Sequence, residues 1–194
     1  MNQPKTPQNI KDKVISKKPT TISSHTEELV DHYWGSINYI SSLIRASEIK
    51  AGLILSFYGI LFNIIYQNLG FVIELGSKYI FLYVLLGLYF IFTTASIYFS
   101  IRCFMPHIEG KYEKNMFFFG DVITKFGNIK EFAKTFYKVS LSEVELFDQL
   151  GQQIYINSKI AALKFKNVNR SIFLLAIGLI LLFIITLSCI LLSL

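Results

Sequence analysis

Charge is scarce in this chain. Of its 194 residues, 16% are Asp, Glu, Lys or Arg and 53% are apolar, where a soluble domain of this size carries about 25% charged residues. The shortage is uneven: no formally charged residue occurs in 51–73, 79–101 or 171–194. That distribution excludes an ordinary soluble globular domain. Cysteine is scarce too. Cys103 and Cys189 stand far apart, at or within apolar runs, which excludes a disulfide framework or a zinc pattern, and both read as small membrane-embedded side chains. Catalytic signatures are missing. His25, His32 and His107 are scattered with no carboxylate at metal-binding spacing, and no G-x-S-x-G, Walker loop or dinucleotide fingerprint is present. The expectation is a non-enzyme with no metal site and no resident cofactor. No apolar core closely follows the N-terminal charges, so no cleavable signal peptide is expected.

What is abundant is uninterrupted hydrophobic sequence. Each of the three uncharged runs exceeds the roughly 20 residues that a helix needs to cross about 30 Å of hydrocarbon. Strands of a membrane barrel would alternate polar and apolar residues, and these runs do not. The fold class read from them is an all-α membrane protein, with three transmembrane helices and a cytosolic helical segment between the second and third. Basic residues set the orientation. Lys5, Lys11, Lys13, Lys17, Lys18, Arg45 and Lys50 precede the first span, and eleven Lys or Arg lie in 102–170, against Lys78 alone between spans one and two. Both basic segments are therefore assigned to the cytosol and the C-terminus to the outside of a bacterial inner membrane. The net charge of +6 follows from this bias and from attraction to the lipid bilayer's anionic headgroups; it requires no nucleic acid.

The chain then divides into a disordered cytosolic tail (1–24), a cytosolic amphipathic helix (25–50), spans at 51–73, 79–101 and 171–194, and a cytosolic helical region (102–170). The tail carries Pro4, Pro7 and Pro19 among lysines and polar residues. Thr26, with Glu27 and Glu28 behind it, reads as the start of the amphipathic helix. Val30, Tyr33, Trp34, Ile37, Ile40 and Ile44 share one face of it. That face either lies on the inner membrane surface, anchored by Tyr33 and Trp34, or packs on the cytosolic helices. Packing is preferred, because the opposite face is not strongly basic. Pro106 should end the helix leaving span two. Asn128 with Glu131, and Ser140 with Glu143, have the spacing of capping boxes. Beyond Ser140 an approximate seam of Val144, Phe147, Leu150, Ile154, Ala161, Phe165 and Val168 predicts one helix running into span three, longer than about 70 Å.

Two polar features stand out. Gly52, Ser56, Gly59, Asn63 and Gln67 recur at three- and four-residue intervals in span one, making a small, polar stripe with an amide near mid-bilayer. Such a stripe serves close packing within one subunit, or an oligomer interface or pore-lining face; these readings stay open at this stage. At the cytosolic mouth of the same span lies Ser47-Glu48-Ile49-Lys50-Ala51, with Arg102 and Arg170 marking the same level on the other spans. Lipid headgroups or a phosphate ligand could dock on that ring of charge.

An acidic-x-Lys-Ala motif leading into an apolar span, here Glu48-Ile49-Lys50-Ala51, resembles the Pycsar transmembrane effector family of bacterial anti-phage defence. The resemblance continues with Pro106 and the Asn-Met-Phe-Phe-Phe-Gly run at 115–120, then with Gln153-Ile154 and Lys164-Phe165 before the last span. It covers roughly 26–194 in the same order. Glu48 stands where the family more often has Asp, and His107 where Arg is common. The resemblance implies an oligomeric membrane effector that responds to cyclic CMP or cyclic UMP from a partner cyclase. It would then impair inner-membrane integrity, ending in growth arrest or abortive infection. Lys50, Arg102, Asn115, Gln153 and Lys164 are the ligand contacts suggested by charge, position and family match. Two alternatives accompany this reading: a SLATT-type defence membrane module sensing another signal, and an accessory membrane subunit that forms no pore.

Overall fold

The computed structural model describes residues 21–105 and 113–193, and every regular element in them is helical. Six helices follow in order: α1 (Thr21–Gln67), α2 (Leu69–Lys78), α3 (Ile80–Phe104), α4 (Phe119–Thr124), α5 (Ile129–Ser140) and α6 (Glu143–Ser193). Three of them contain stretches long and apolar enough to cross a membrane, within His25–Gln67, Ile80–Phe104 and Glu143–Leu192. The expected disordered tail, 1–24, lies outside the described residues up to 20, and residues 21–24 depart from the expectation by opening α1 as helix; Pro106 and His107 also lie outside the described residues.

The amphipathic helix and the first span form one rod. α1 runs for 47 residues without interruption, so its apolar face cannot lie flat on a membrane that its other half crosses. The face packs on α6 instead. Ile37 is buried, and the Tyr33 ring centroid sits 5.3 Å from that of Phe147. α6 is longer still, with 51 residues, or about 76 Å at about 1.5 Å per residue. The two rods run in the same direction at a constant offset. Thr26 Oγ1 donates to Glu143 Oε1 at 2.9 Å, and Lys164 Nζ donates to Glu48 Oε1 at 2.6 Å. α3 runs antiparallel to both, since Cys103 meets Lys164, Ser96 meets Ser171 and Tyr89 faces Gly178.

The first uncharged run, read as a single span over 51–73, breaks at Asn68. Its side-chain amide donates to the Ile64 carbonyl at 2.8 Å, and its backbone N–H bonds to Ile65 at 3.2 Å in a tighter turn. An Asn that competes for carbonyls one turn back loosens a helix, and α2 restarts one residue later. At the return into α3 the chain is held by Gly76. A Cβ there would fall 2.9 Å from Tyr83 Cζ, so glycine lets the ring close over the turn while its hydroxyl donates to the Ile73 carbonyl at 3.3 Å. The far end of the bundle is apolar, with Leu82, Tyr89, Ile185 and Cys189 packed together.

At the opposite end, α5 and the turn before α4 pack on α6 and form a small head with α4. Met116, Phe126 and Val139 make its core, covered by Phe117 and Phe132, with Trp34 of α1 packed edge-on against Phe117 at 5.6 Å. Asn128 caps α5 as its spacing predicts: its Oδ1 accepts from the backbone of Lys130 and Glu131, and its Nδ2 donates to Glu131 Oε1 at 3.1 Å. Gly127 before it takes φ +70°, where a side chain would be strained. The second box is displaced. Ser140 ends α5 and donates to the Phe136 carbonyl. The cap of α6 is Ser142, accepting from the Glu145 N–H at 3.4 Å. The pattern Ser-x-x-Glu recurs two residues later, and the later copy is the one that begins a helix.

α3 ends where expected. Met105 follows its last turn with φ −78° and ψ 117°, the extended backbone that a following proline imposes.

Candidate functional site

Along α6, Leu150, Ala161 and Val168 are buried at helical spacing, and Lys164 falls in phase with them. A lysine in phase with a buried seam has to bury its ammonium or bend away. Lys164 buries it: its side chain is 8% exposed, against 39% for Glu48. An ammonium removed from water needs oxygen partners, and two are supplied. Nζ donates to Glu48 Oε1 at 2.6 Å and to the Cys103 carbonyl at 2.7 Å. Cys103 lies in the last turn of α3, whose carbonyls lack partners within the helix and carry its negative dipole end. One ammonium therefore pairs with α1 and caps α3 while belonging to α6. The distances are those of charge-assisted bonds.

Beneath this tie the three spans touch through small residues. Ala51, Cys103 and Val168 pack as one cluster. Next along the axis, the Ser96 hydroxyl donates to the Ser171 carbonyl and the Ser171 hydroxyl to the Ser96 carbonyl, each at 2.8 Å. Ser100 Oγ lies 2.7 Å from Ser171 Oγ. Reciprocal bonds of this kind require close backbones, which small side chains permit. Further in, Tyr58, Tyr89 and Thr93 are fully buried, and their hydroxyls have no partner among the described residues. The interior of the bundle is thus a column of hydroxyls, closed at the far end by the apolar cluster of Leu82 and Ile185.

The five residues suggested as ligand contacts do not form one pocket. Lys164 is committed to the tie. Lys50 is exposed, its Nζ 5.8 Å from the Phe165 ring centroid. Arg102 is exposed and turned toward Tyr98, donating to its hydroxyl at 3.3 Å. With Arg170, 5.4 Å from the Phe99 ring centroid, these make a belt of cations resting on aromatic rings. Asn115 is fully buried and fully used. Its Nδ2 donates to the Gln149 carbonyl at 2.6 Å, its Oδ1 accepts from the backbone of Phe117 and Phe118, and its own N–H donates to Asp121 Oδ2. The aromatic block is thereby folded as a turn around one amide, and Gln149 secures it by accepting from the Met116 N–H at 3.0 Å. Gln153, one turn beyond Gln149, is buried beside Asn157. Its Nε2 donates to Asn157 Oδ1 at 3.1 Å, while its Oε1 has no partner among the described residues.

The stripe on α1 points away from the bundle. Ala51, Ile54 and Tyr58 take the buried face, leaving Gly52 half-buried and Ser56, Gly59, Asn63 and Gln67 exposed. Gln67 Nε2 approaches Asn63 Oδ1 at 3.5 Å. Packing within the single chain does not use this face.

Sequence reasoning singled out Glu48 and Lys164 separately, without pairing them across 116 positions. Ser96, Ser100, Ser171, Gln149 and Asp121 were not anticipated; as common polar residues they carry no local signal of a contact far along the chain.

The family model described as Pycsar effector protein domain matches residues 32–191. A curated relative, Pycsar effector protein PtPycTM from Propioniciclava tarda, is 24% identical over 155 residues, covering 78% of this chain and 75% of the relative. No solved structure matches.

Proposed function

This chain belongs to the Pycsar effector family, and we propose that it is a signal-gated membrane effector of anti-phage defence. A cyclic pyrimidine mononucleotide, cyclic CMP or cyclic UMP, made by a partner cyclase is its signal. Its output is loss of inner-membrane integrity, through conformational change rather than catalysis. The head faces the cytosol, where the nucleotide is made, and the C-terminal end of α6 faces outside.

The observation that carries this reading is the continuity of α1 and α6 from head to spans. A rod without a hinge converts a displacement of the head into a displacement of the spans. The ligand must prefer one arrangement over the other, because equal affinity moves nothing. Among the suggested contacts, Gln153 fits the role best. Its buried amide has an open valence suited to the edge of a pyrimidine, whereas Lys50 and Arg102 lie at the level of Phe165 and Lys164, about 17 Å further along α6, too far to hold the phosphate of the same mononucleotide. Asn115 and Lys164 position other groups instead.

The protein works as a homo-oligomer in this reading. Asn63 and Gln67 expose amides within a hydrocarbon-spanning helix, where a polar group is costly until it finds a partner, and the same face of a second copy supplies one. The experiment is a vesicle assay. Purified protein in vesicles loaded with a voltage-sensitive dye should depolarise them on addition of cyclic CMP or cyclic UMP. Absence of both binding and depolarisation with either nucleotide overturns the reading.

A further inference from the structure

The tie at Lys164 lies at the level where the three-helix contact ends and the head begins. On the head side α1 and α6 continue together for about 30 Å, while α3 stops. On the bilayer side the part of the α3–α6 contact next to the tie is made by neutral hydroxyls and small side chains, and only the far end is a large apolar cluster. Any motion of the rods relative to α3 has to part Lys164 Nζ from the Cys103 carbonyl. Any splaying of the rods has to part it from Glu48. We propose that Lys164 is a latch: its paired ammonium holds the spans in the silent arrangement, and the signal acts by drawing it from both oxygens together.

The chemistry suits a latch better than a plain structural bond. A buried ammonium with one partner removed is costly, so the half-open state is unfavourable and the tie opens as a unit. Glu48 is partly exposed, and so a released carboxylate meets water at once. Once open, α3 and α6 present Ser96, Ser100 and Ser171 to each other across a gap that water can wet, whereas an apolar seam would close again around lipid. Lys164 is accordingly a positioning residue, which controls the output without touching the ligand.

This inference rests on the proposed membrane output, yet its test needs no nucleotide. The full chain is expressed without any cyclase as wild type, Glu48→Gln, Lys164→Met and the double variant Glu48→Met/Lys164→Met. Resting depolarisation of the cells is then followed with a voltage-sensitive dye. The single variants should raise it by roughly tenfold or more, the factor by which one lost charge-assisted bond shifts a two-state balance. Glu48→Asp, which keeps the carboxylate, should stay silent. If a single variant fails to accumulate, the double variant decides, because it leaves no buried ion unpaired and still frees both α1 and α3. A second readout follows thiol labelling of Cys103, buried beneath the tie, in a Cys189→Ser background; labelling should accelerate with the leak.

Variants that accumulate, stay as silent as wild type and keep Cys103 protected overturn the latch. That result leaves the ligand reading standing if wild type still responds to nucleotide. Conversely, leaky variants beside a wild type that ignores both nucleotides uphold the latch and remove the ligand reading.

Discussion

Lys164 and Glu48, 116 positions apart in the chain, meet at 2.6 Å where the spans give way to the head. The same ammonium reaches Cys103 of the third helix at 2.7 Å. The pair ties two parallel rods at one level, and through Cys103 it joins α3 to them there.

The serine contacts below the tie make the first stability prediction. Ser171→Ala removes the hydroxyl that bonds Ser96 and leaves Ser100 unpaired. The expected cost is about 1 kcal/mol, typical of a hydrogen bond between membrane helices. Thermal unfolding in detergent reads it. Ser171→Leu, which forces α3 and α6 apart, should cost more than Ser171→Ala, and an equal or smaller loss would contradict the close packing.

The head should respond separately. Asn128→Ala removes a side-chain cap on two backbone N–H groups, at about 1 kcal/mol. Gly127→Ala places a side chain at φ +70° and its Cβ against Glu131 Oε2, which has to move away, so it should cost at least as much, about 1–2 kcal/mol. Hydrogen exchange should rise in α4 and α5 while amides of α3 stay protected. Uniform loosening of head and spans would show that the head is not a separate unit.

How far these features are legible in the sequence depends on their range. The spans are legible because hydrocarbon excludes charge over 20 residues at a stretch, and no tertiary contact is needed to see that. The Asn128 cap is legible because its partners lie two and three residues away. The break at Asn68 is not, since an asparagine in an uncharged run leaves the hydropathy unchanged. The Ser140 box misled because Ser142 offers the same spacing, and only the end of α5 decides between them. Lys164 could have been found: a lysine in phase with Leu150, Ala161 and Val168 has to be buried and paired. Its partner could not, because the offset between parallel rods is set by their whole contact and not by either residue.

Gln153 separates stability from signalling. Its Oε1 is buried without a partner among the described residues, but its Nε2 donates to buried Asn157 Oδ1, so Gln153→Leu trades one orphaned oxygen for another and should change the stability of the resting protein by no more than about 1 kcal/mol. Under the proposed role it should also abolish nucleotide binding, as measured by isothermal titration. Retained affinity would remove Gln153 from the site.

The outward stripe offers a third separation. Asn63→Leu replaces a lipid-level amide with an apolar side chain, so a lone subunit should insert as well as or better than wild type. If copies meet on this face, the variant should lose oligomer on chemical cross-linking in membranes, together with its toxicity. Unchanged oligomer and toxicity would assign the stripe to lipid contact.

In the proposed mechanism a cyclic pyrimidine mononucleotide opens the bundle held by Lys164. Its most direct test is the voltage of vesicles containing the purified full chain, followed as cyclic CMP or cyclic UMP is added. The account predicts depolarisation by at least one of them, and none by a purine cyclic mononucleotide at the same concentration. A potential that holds steady with both pyrimidine nucleotides would contradict it.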